Sequence, residues 1–166
     1  MRRLVLMRHA KSSWDDPALS DRARPLNRRG RLAAALMGAL LREDDLVPDA
    51  ALLSPALRVQ ETWAQLGLDA PAETAEALYM ADPETQLAAL RAAPDAARTL
   101  LMLGHEPGTT AFLRKLSDGT EPAGCRRAWG KVPTAALAVV ELDVDWADAA
   151  FGAGRFRRFV APKDLV

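Results

Sequence analysis

The chain is short of the residues that build several kinds of site. Cysteine occurs once, at Cys125. No internal disulfide is available, an inert thiol is the expected role, and a reducing compartment is the simplest setting. Histidine occurs only twice, at His9 and His105, which is thin for a metal centre without a third ligand. Lysine occurs four times, at Lys11, Lys115, Lys131 and Lys163, so arginine carries most of the positive charge. Neither sign is in excess, since Lys+Arg and Asp+Glu are both 22. That balance argues against bulk attraction to nucleic acid or to a membrane surface. No apolar run approaches the roughly 20 residues of a membrane-spanning helix. The run Leu4 to Met7 is too short for a secretory signal core. A soluble, cytoplasmic protein is expected.

What is present suits a folded enzyme-sized unit. The 166 residues are 49% hydrophobic and 27% charged, enough to bury one sizeable core. Residues 1–166 are read as one domain. Short apolar runs at Arg3–Met7, Ala50–Leu53, Thr99–Leu103, Ala136–Leu142 and Phe156–Val160 read as strands. Between them lie helical patterns. Asn27 is placed to cap a helix from Arg28 to about Arg42, where Leu32, Ala35, Leu36, Ala39 and Leu40 recur at helical spacing. Ser54 and Pro55 read as the cap and first residue of a helix running to about Leu66. A short strand is expected within Pro71–Tyr79. Asp82 opens a helix to about Ala92, and Thr109–Leu116 forms another. Ser117–Pro133, rich in Gly and Pro, reads as irregular, either a loop or a lid. Alternating strands and helices imply an α/β layered fold.

In open α/β sheets, sites gather beyond the carboxyl ends of the strands. Both histidines fall there. The first strand ends at Arg8 and His9, the second at Ser54 with Arg58 shortly after, and that at Thr99 ends at Gly104 and His105. Two imidazoles and two guanidinium groups at one rim suit a dianion, because guanidinium binds phosphate bidentately and stays charged. The arginines would repel a metal cation, so no metal is expected.

These residues carry a family resemblance. Leu6-Met7-Arg8-His9-Ala10-Lys11-Ser12 resembles the Arg-His-Gly signature of the histidine phosphatase, or phosphoglycerate-mutase-like, superfamily, with Ala10 where glycine is usual. Ser54-Pro55-Ala56-Leu57-Arg58-Val59-Gln60-Glu61-Thr62 is similar to its second motif. Gly104-His105-Glu106-Pro107-Gly108 is similar to its third. The Arg-His-Ala start, the segment Arg24-Pro25-Leu26-Asn27-Arg28-Arg29-Gly30 and the small size resemble the SixA-type phosphohistidine phosphatases. The resemblance implies a three-layer α/β/α sandwich with a mostly parallel central sheet. It also implies hydrolysis through a phosphohistidine formed on His9, with Arg8, Arg58 and His105 clamping the phosphoryl oxygens and no cofactor. A phosphate or sulfate ion is expected to fit the pocket. Ser12, Ser13 and Thr109 are further candidate phosphate contacts, the last at a helix start where N–H groups face anions.

The family's general acid would lie between the second and third motifs. Glu73, Glu76, Asp82 and Glu84 stand there, and Glu76 and Asp82 are the candidates kept, although Asp82 also suits a helix cap. None sits in a mutase-like pattern. The P–N bond of phosphohistidine breaks readily once the imidazole is protonated, so such a substrate can do without an acid. A phosphorylated signalling or phosphotransfer protein is the expected partner. A small-molecule phosphomonoesterase with the same nucleophile is the nearest alternative, and a phosphate-binding module without turnover is the alternative from another class.

Overall fold

The computed structural model describes residues 1–166. Its centre is a six-stranded sheet: β1 (Arg2–Arg8), β2 (Ala50–Leu53), β3 (Ala72–Thr74), β4 (Thr99–Gly104), β5 (Leu137–Leu142) and β6 (Arg155–Val160). The spatial order is β3-β2-β4-β1-β5-β6. β3, β2, β4 and β1 run parallel, and β5 turns antiparallel to both β1 and β6. Four helices cover it: α1 (Arg28–Glu43), α2 (Leu57–Leu66), α3 (Pro83–Arg91) and α4 (Gly108–Leu116).

The alternation of side chains along β1 divides the core in two. Leu4 and Leu6 enter one apolar cluster with Leu100, Met102, Leu90 of α3 and Phe112 of α4. Val5 and Met7 enter another with Leu101, Leu103, Met37 and Leu41 of α1, and Val59 and Leu66 of α2. The sheet therefore lies between an α1–α2 layer and an α3–α4 layer, the three-layer α/β/α sandwich. The central strands are apolar on both faces because both faces are covered.

Side-chain caps open two of the four helices. The Asn27 side chain accepts from Gly30 N–H at 2.8 Å, and the Asp82 side chain from Thr85 N–H at 2.8 Å. The expected Ser54–Pro55 start is corrected. α2 begins at Leu57 after Ala56, with no side-chain cap; the Ser54 hydroxyl accepts from the Ala56 N–H at 3.3 Å, ahead of the helix, and meets a second partner described below. Gly30 matters to the site. A Cβ there would lie 2.1 Å from the Lys11 carbonyl oxygen, so glycine lets α1 press against the segment after β1. Ser117–Pro133 is packed down: Ala123–Trp129 forms a 3-10 turn, and Cys125, Ala128 and Val132 are buried. Burial raises the pKa of the Cys125 thiol, as suits an inert residue. No helix is long and apolar enough to cross a membrane.

Candidate active site

Strand register sets the site. Arg8 pairs with Gly104 across β1 and β4, and Leu53 pairs with Leu103 across β2 and β4. His9, His105 and Ser54 are the next residues on three adjacent parallel strands, at the carboxyl edge where such sheets bind ligands. The two imidazole centroids are 5.4 Å apart. Arg58, in the first turn of α2, reaches both rings. Its Nε donates to His9 Nε2 and its terminal nitrogen to His105 Nδ1, each at 3.3 Å.

These contacts assign the tautomers, because a nitrogen facing a guanidinium must accept. His9 Nδ1 donates to the Ala10 carbonyl at 2.7 Å, leaving Nε2 with its lone pair. His105 Nε2 donates to the Ser54 hydroxyl at 2.7 Å. Burial, reinforced by Arg58, His105 and Arg8, pushes the His9 pKa down to about 3 despite the Ala10 bond. Burial and Arg58 push His105 down to about 4. Both rings are neutral at pH 7. Ala10 is held in turn, since its N–H donates to the Thr62 hydroxyl at 3.0 Å and that hydroxyl donates to the Arg58 carbonyl at 2.6 Å.

The pocket in front of these groups has a volume of about 230 Å³. Arg8, Lys11, Arg24 and Arg58 all line it. One Arg8 terminal nitrogen donates to the Val132 carbonyl at 3.1 Å, while its buried Nε has no partner. Desolvation lowers the Arg8 pKa, Glu106 opposes and Arg58 adds to the fall. An orphan donor among like charges is an incomplete set that an anion would complete.

Two carboxylates share the pocket, Asp21 and Glu106. Asp21 accepts from Arg58 at 2.9 Å, and Tyr79 donates its hydroxyl to the same oxygen. Burial opposes the charge, but the Tyr79, Arg58 and Arg24 hydrogen bonds outweigh it and hold Asp21 at about 2. Asp21 orients Arg58 and stays ionised. Glu106 accepts from the Thr110 N–H at 2.7 Å and the Thr110 hydroxyl at 2.5 Å.

Of the expected residues, His9, Arg8, Arg58, His105 and Ser12 meet at this pocket. The Ser12 hydroxyl accepts from Arg24 at 2.7 Å. The others are corrected. Ser13 is not in the pocket wall, and its hydroxyl accepts from Asp15 N–H at 3.0 Å. Thr109 is buried and donates to the His105 carbonyl at 2.9 Å, so it steadies that histidine from behind. Glu76 pairs with Arg22 at 2.8 Å on the surface, and Asp82 is spent on the α3 cap. Neither of these acids lines the pocket. Trp14, also in the pocket wall, is 75% exposed and stacks with the Arg24 guanidinium at 3.5 Å. Asp21, Arg24 and Glu106 line the pocket without a site role assigned from the sequence, and Ser54, expected only as a helix cap, holds His105.

Fold and site together define a phosphatase of the phosphoglycerate-mutase-like class. The profile of the histidine phosphatase superfamily (branch 1) matches residues 4–79. An uncharacterized protein of Mycobacterium tuberculosis is 40% identical over 159 residues, covering 95% of this chain and 100% of that one. A candidate phosphohistidine phosphatase SixA from Nakamurella multipartitia superposes with a TM-score of 0.87 at 29% identity, over 97% of this chain and 96% of that chain. A protein histidine phosphatase SixA complexed with tungstate gives a TM-score of 0.81 at 27% identity, over 99% of both chains. The chain belongs to the histidine phosphatase superfamily, branch 1, and is of the SixA type.

Proposed function

We propose that the protein removes the phosphoryl group from phosphohistidine in a protein, through a covalent intermediate on His9 and without a metal ion. One observation carries the reading: His9 is a buried neutral imidazole whose lone pair, on Nε2, faces a pocket of arginines. In-line attack forms the Nε2–phosphorus bond as the substrate's P–N bond breaks, and the bonding pair leaves on the substrate imidazole. The His9 proton stays on Nδ1, hydrogen-bonded to the Ala10 carbonyl, throughout. The intermediate is then a phosphoimidazole protonated at its distal nitrogen, the form that gives up phosphate to water most readily. Water attacks phosphorus, the electron pair of the breaking P–N bond returns to Nε2, and the phosphoryl group takes the water's hydroxyl while the remaining proton passes to a phosphate oxygen, so that dihydrogen phosphate leaves.

Arg58 would release His9 Nε2 for a phosphoryl oxygen, and the free Nε of Arg8 would take another. Positioned cations supply most of the catalysis in phosphoryl transfer. The tungstate held by the SixA relative is a tetrahedral oxyanion like phosphate, which supports an oxyanion site at the matching rim. The choice of phosphohistidine rests on the acids. Asp21 is kept ionised by Arg58 and Tyr79, and both Glu106 oxygens already accept from Thr110. An ester needs its alkoxide protonated, whereas an imidazole leaves readily once its own distal nitrogen is protonated.

The second reading, a small-molecule phosphomonoesterase, draws on Glu106 in the pocket wall. A substrate panel separates the two. Phosphohistidine peptides should be hydrolysed with a higher kcat/KM than sugar phosphates, with and without EDTA. A strong preference for sugar phosphates, or loss of activity in EDTA restored by a divalent ion, contradicts the proposal.

A further inference from the structure

Beside the catalytic pocket lies a second groove, of about 410 Å³, that shares Lys11 and Thr134 with it. Its charged lining is Lys11, Arg29, Lys131 and Lys163, and no acidic residue faces it. Three of the chain's four lysines meet here, from the segment after β1, the segment before β5 and the turn after β6. All four cations are exposed, and none takes part in an ion pair. The fourth lysine, Lys115, does have a partner, Glu84 at 2.9 Å. Asp164, next to Lys163, is already held by Arg127 at 2.6 Å. Arg29 sits in the first turn of α1, which contains no acid, so the helix end adds to the positive field.

In a chain with no net charge, this convergence is a local excess. Like charges left without counter-ions repel one another, and a docking polyanion would relieve them. Its chemistry can be read from the lining. Three of the four cations are lysines, flexible point charges without the fork by which an arginine fixes one phosphate, and Arg29 alone has that fork. The rest of the wall, Ala33, Pro133, Ala161 and Pro162, offers no aromatic face for a base or ring. Such a groove suits several carboxylates spread along a chain.

We propose that this groove docks an acidic segment of the phosphoprotein whose phosphohistidine enters the neighbouring pocket, an inference that rests on the phosphohistidine reading for its substrate. The groove would select among phosphoproteins by attraction near the reacting group. It would raise kcat/KM through encounter and KM rather than through the chemical step.

The test uses a fluorescein-labelled peptide with four glutamates beside an unphosphorylated histidine, and its glutamine counterpart. Fluorescence anisotropy should show the glutamate peptide binding about tenfold more tightly at low salt, with the gap closing as salt screens the charges. The double variant Lys131→Glu/Lys163→Glu should lose this preference. Neither lysine lines the catalytic pocket, so hydrolysis of p-nitrophenyl phosphate should stay near the wild-type rate, which also shows that the variant folds. Equal binding of the two peptides by the wild-type protein overturns the proposal, as does a preference that survives the double substitution. Inorganic triphosphate that binds through these lysines while the peptides go undistinguished also overturns it, in favour of a small polyanion. The phosphorylated peptides test the other premise: if neither is hydrolysed while p-nitrophenyl phosphate is, the phosphohistidine reading fails and the binding measurement still decides the groove.

Discussion

Lowering the pH from 7 to 5 should destabilise the fold through its two histidines. Burial, with Arg58 beside both rings, holds His9 at about 3 and His105 at about 4. In the unfolded chain both titrate near 6.5. As pH falls through 6.5 the unfolded chain takes up a proton at each ring and the folded chain does not, so stability is lost on acidification. Over this interval the linkage amounts to about 2 kcal/mol for His9. His105 contributes by the same linkage, and after both rings are discounted for screening by solvent in the pocket they line about 3 kcal/mol is expected together. Asp21 and Asp164, held at about 2, lose their stabilising charge only below this range. Urea unfolding at fixed ionic strength, extrapolated linearly at pH 7 and pH 5, measures the difference. His9→Gln should remove about half of it. A change below about 1 kcal/mol, or a gain in stability at pH 5, would show that the rings are not held neutral by the fold.

Other substitutions probe the surroundings of His9. Asp21→Asn leaves Arg58 without its orienting charge and should lower kcat/KM about 10- to 100-fold, with little loss of thermal stability; unchanged kinetics would remove Asp21 from the site. Glu106→Gln should leave phosphohistidine hydrolysis within a few-fold of wild type, because no acid is required there. A large selective loss on glycerol phosphate, whose alkoxide must be protonated as it leaves, would make Glu106 an acid for esters. Gly30→Ala drives a methyl group into the Lys11 carbonyl and should cost about 1–3 kcal/mol in urea unfolding; a neutral outcome would mean that α1 shifts freely.

The strands at Arg3–Met7 and Thr99–Leu103 were legible because they are covered on both faces and therefore uniformly apolar. The placement of His9, Arg8, Arg58 and His105 at one rim followed from the ends of such strands. Ser54 was misread for a physical reason. Ser-Pro after a strand satisfies the rules for a helix cap, and only the fold brings His105 within 2.7 Å of its hydroxyl. Asp21 lies in a loop without periodicity and meets Arg58 across 37 positions of sequence. Nothing in spacing announces that contact. None of the acids between the second and third motifs lines the pocket. The carboxylate that reaches the pocket from the end of β4 is Glu106, adjacent to His105 and inside the third motif itself.

The most direct test is to trap the intermediate. Rapid quenching of a reaction with radiolabelled phosphohistidine peptide should leave label on the protein in an alkali-stable, acid-labile form. It should map to the peptide containing His9 and vanish in His9→Ala. Label on another residue, or turnover that persists in His9→Ala, would contradict the account.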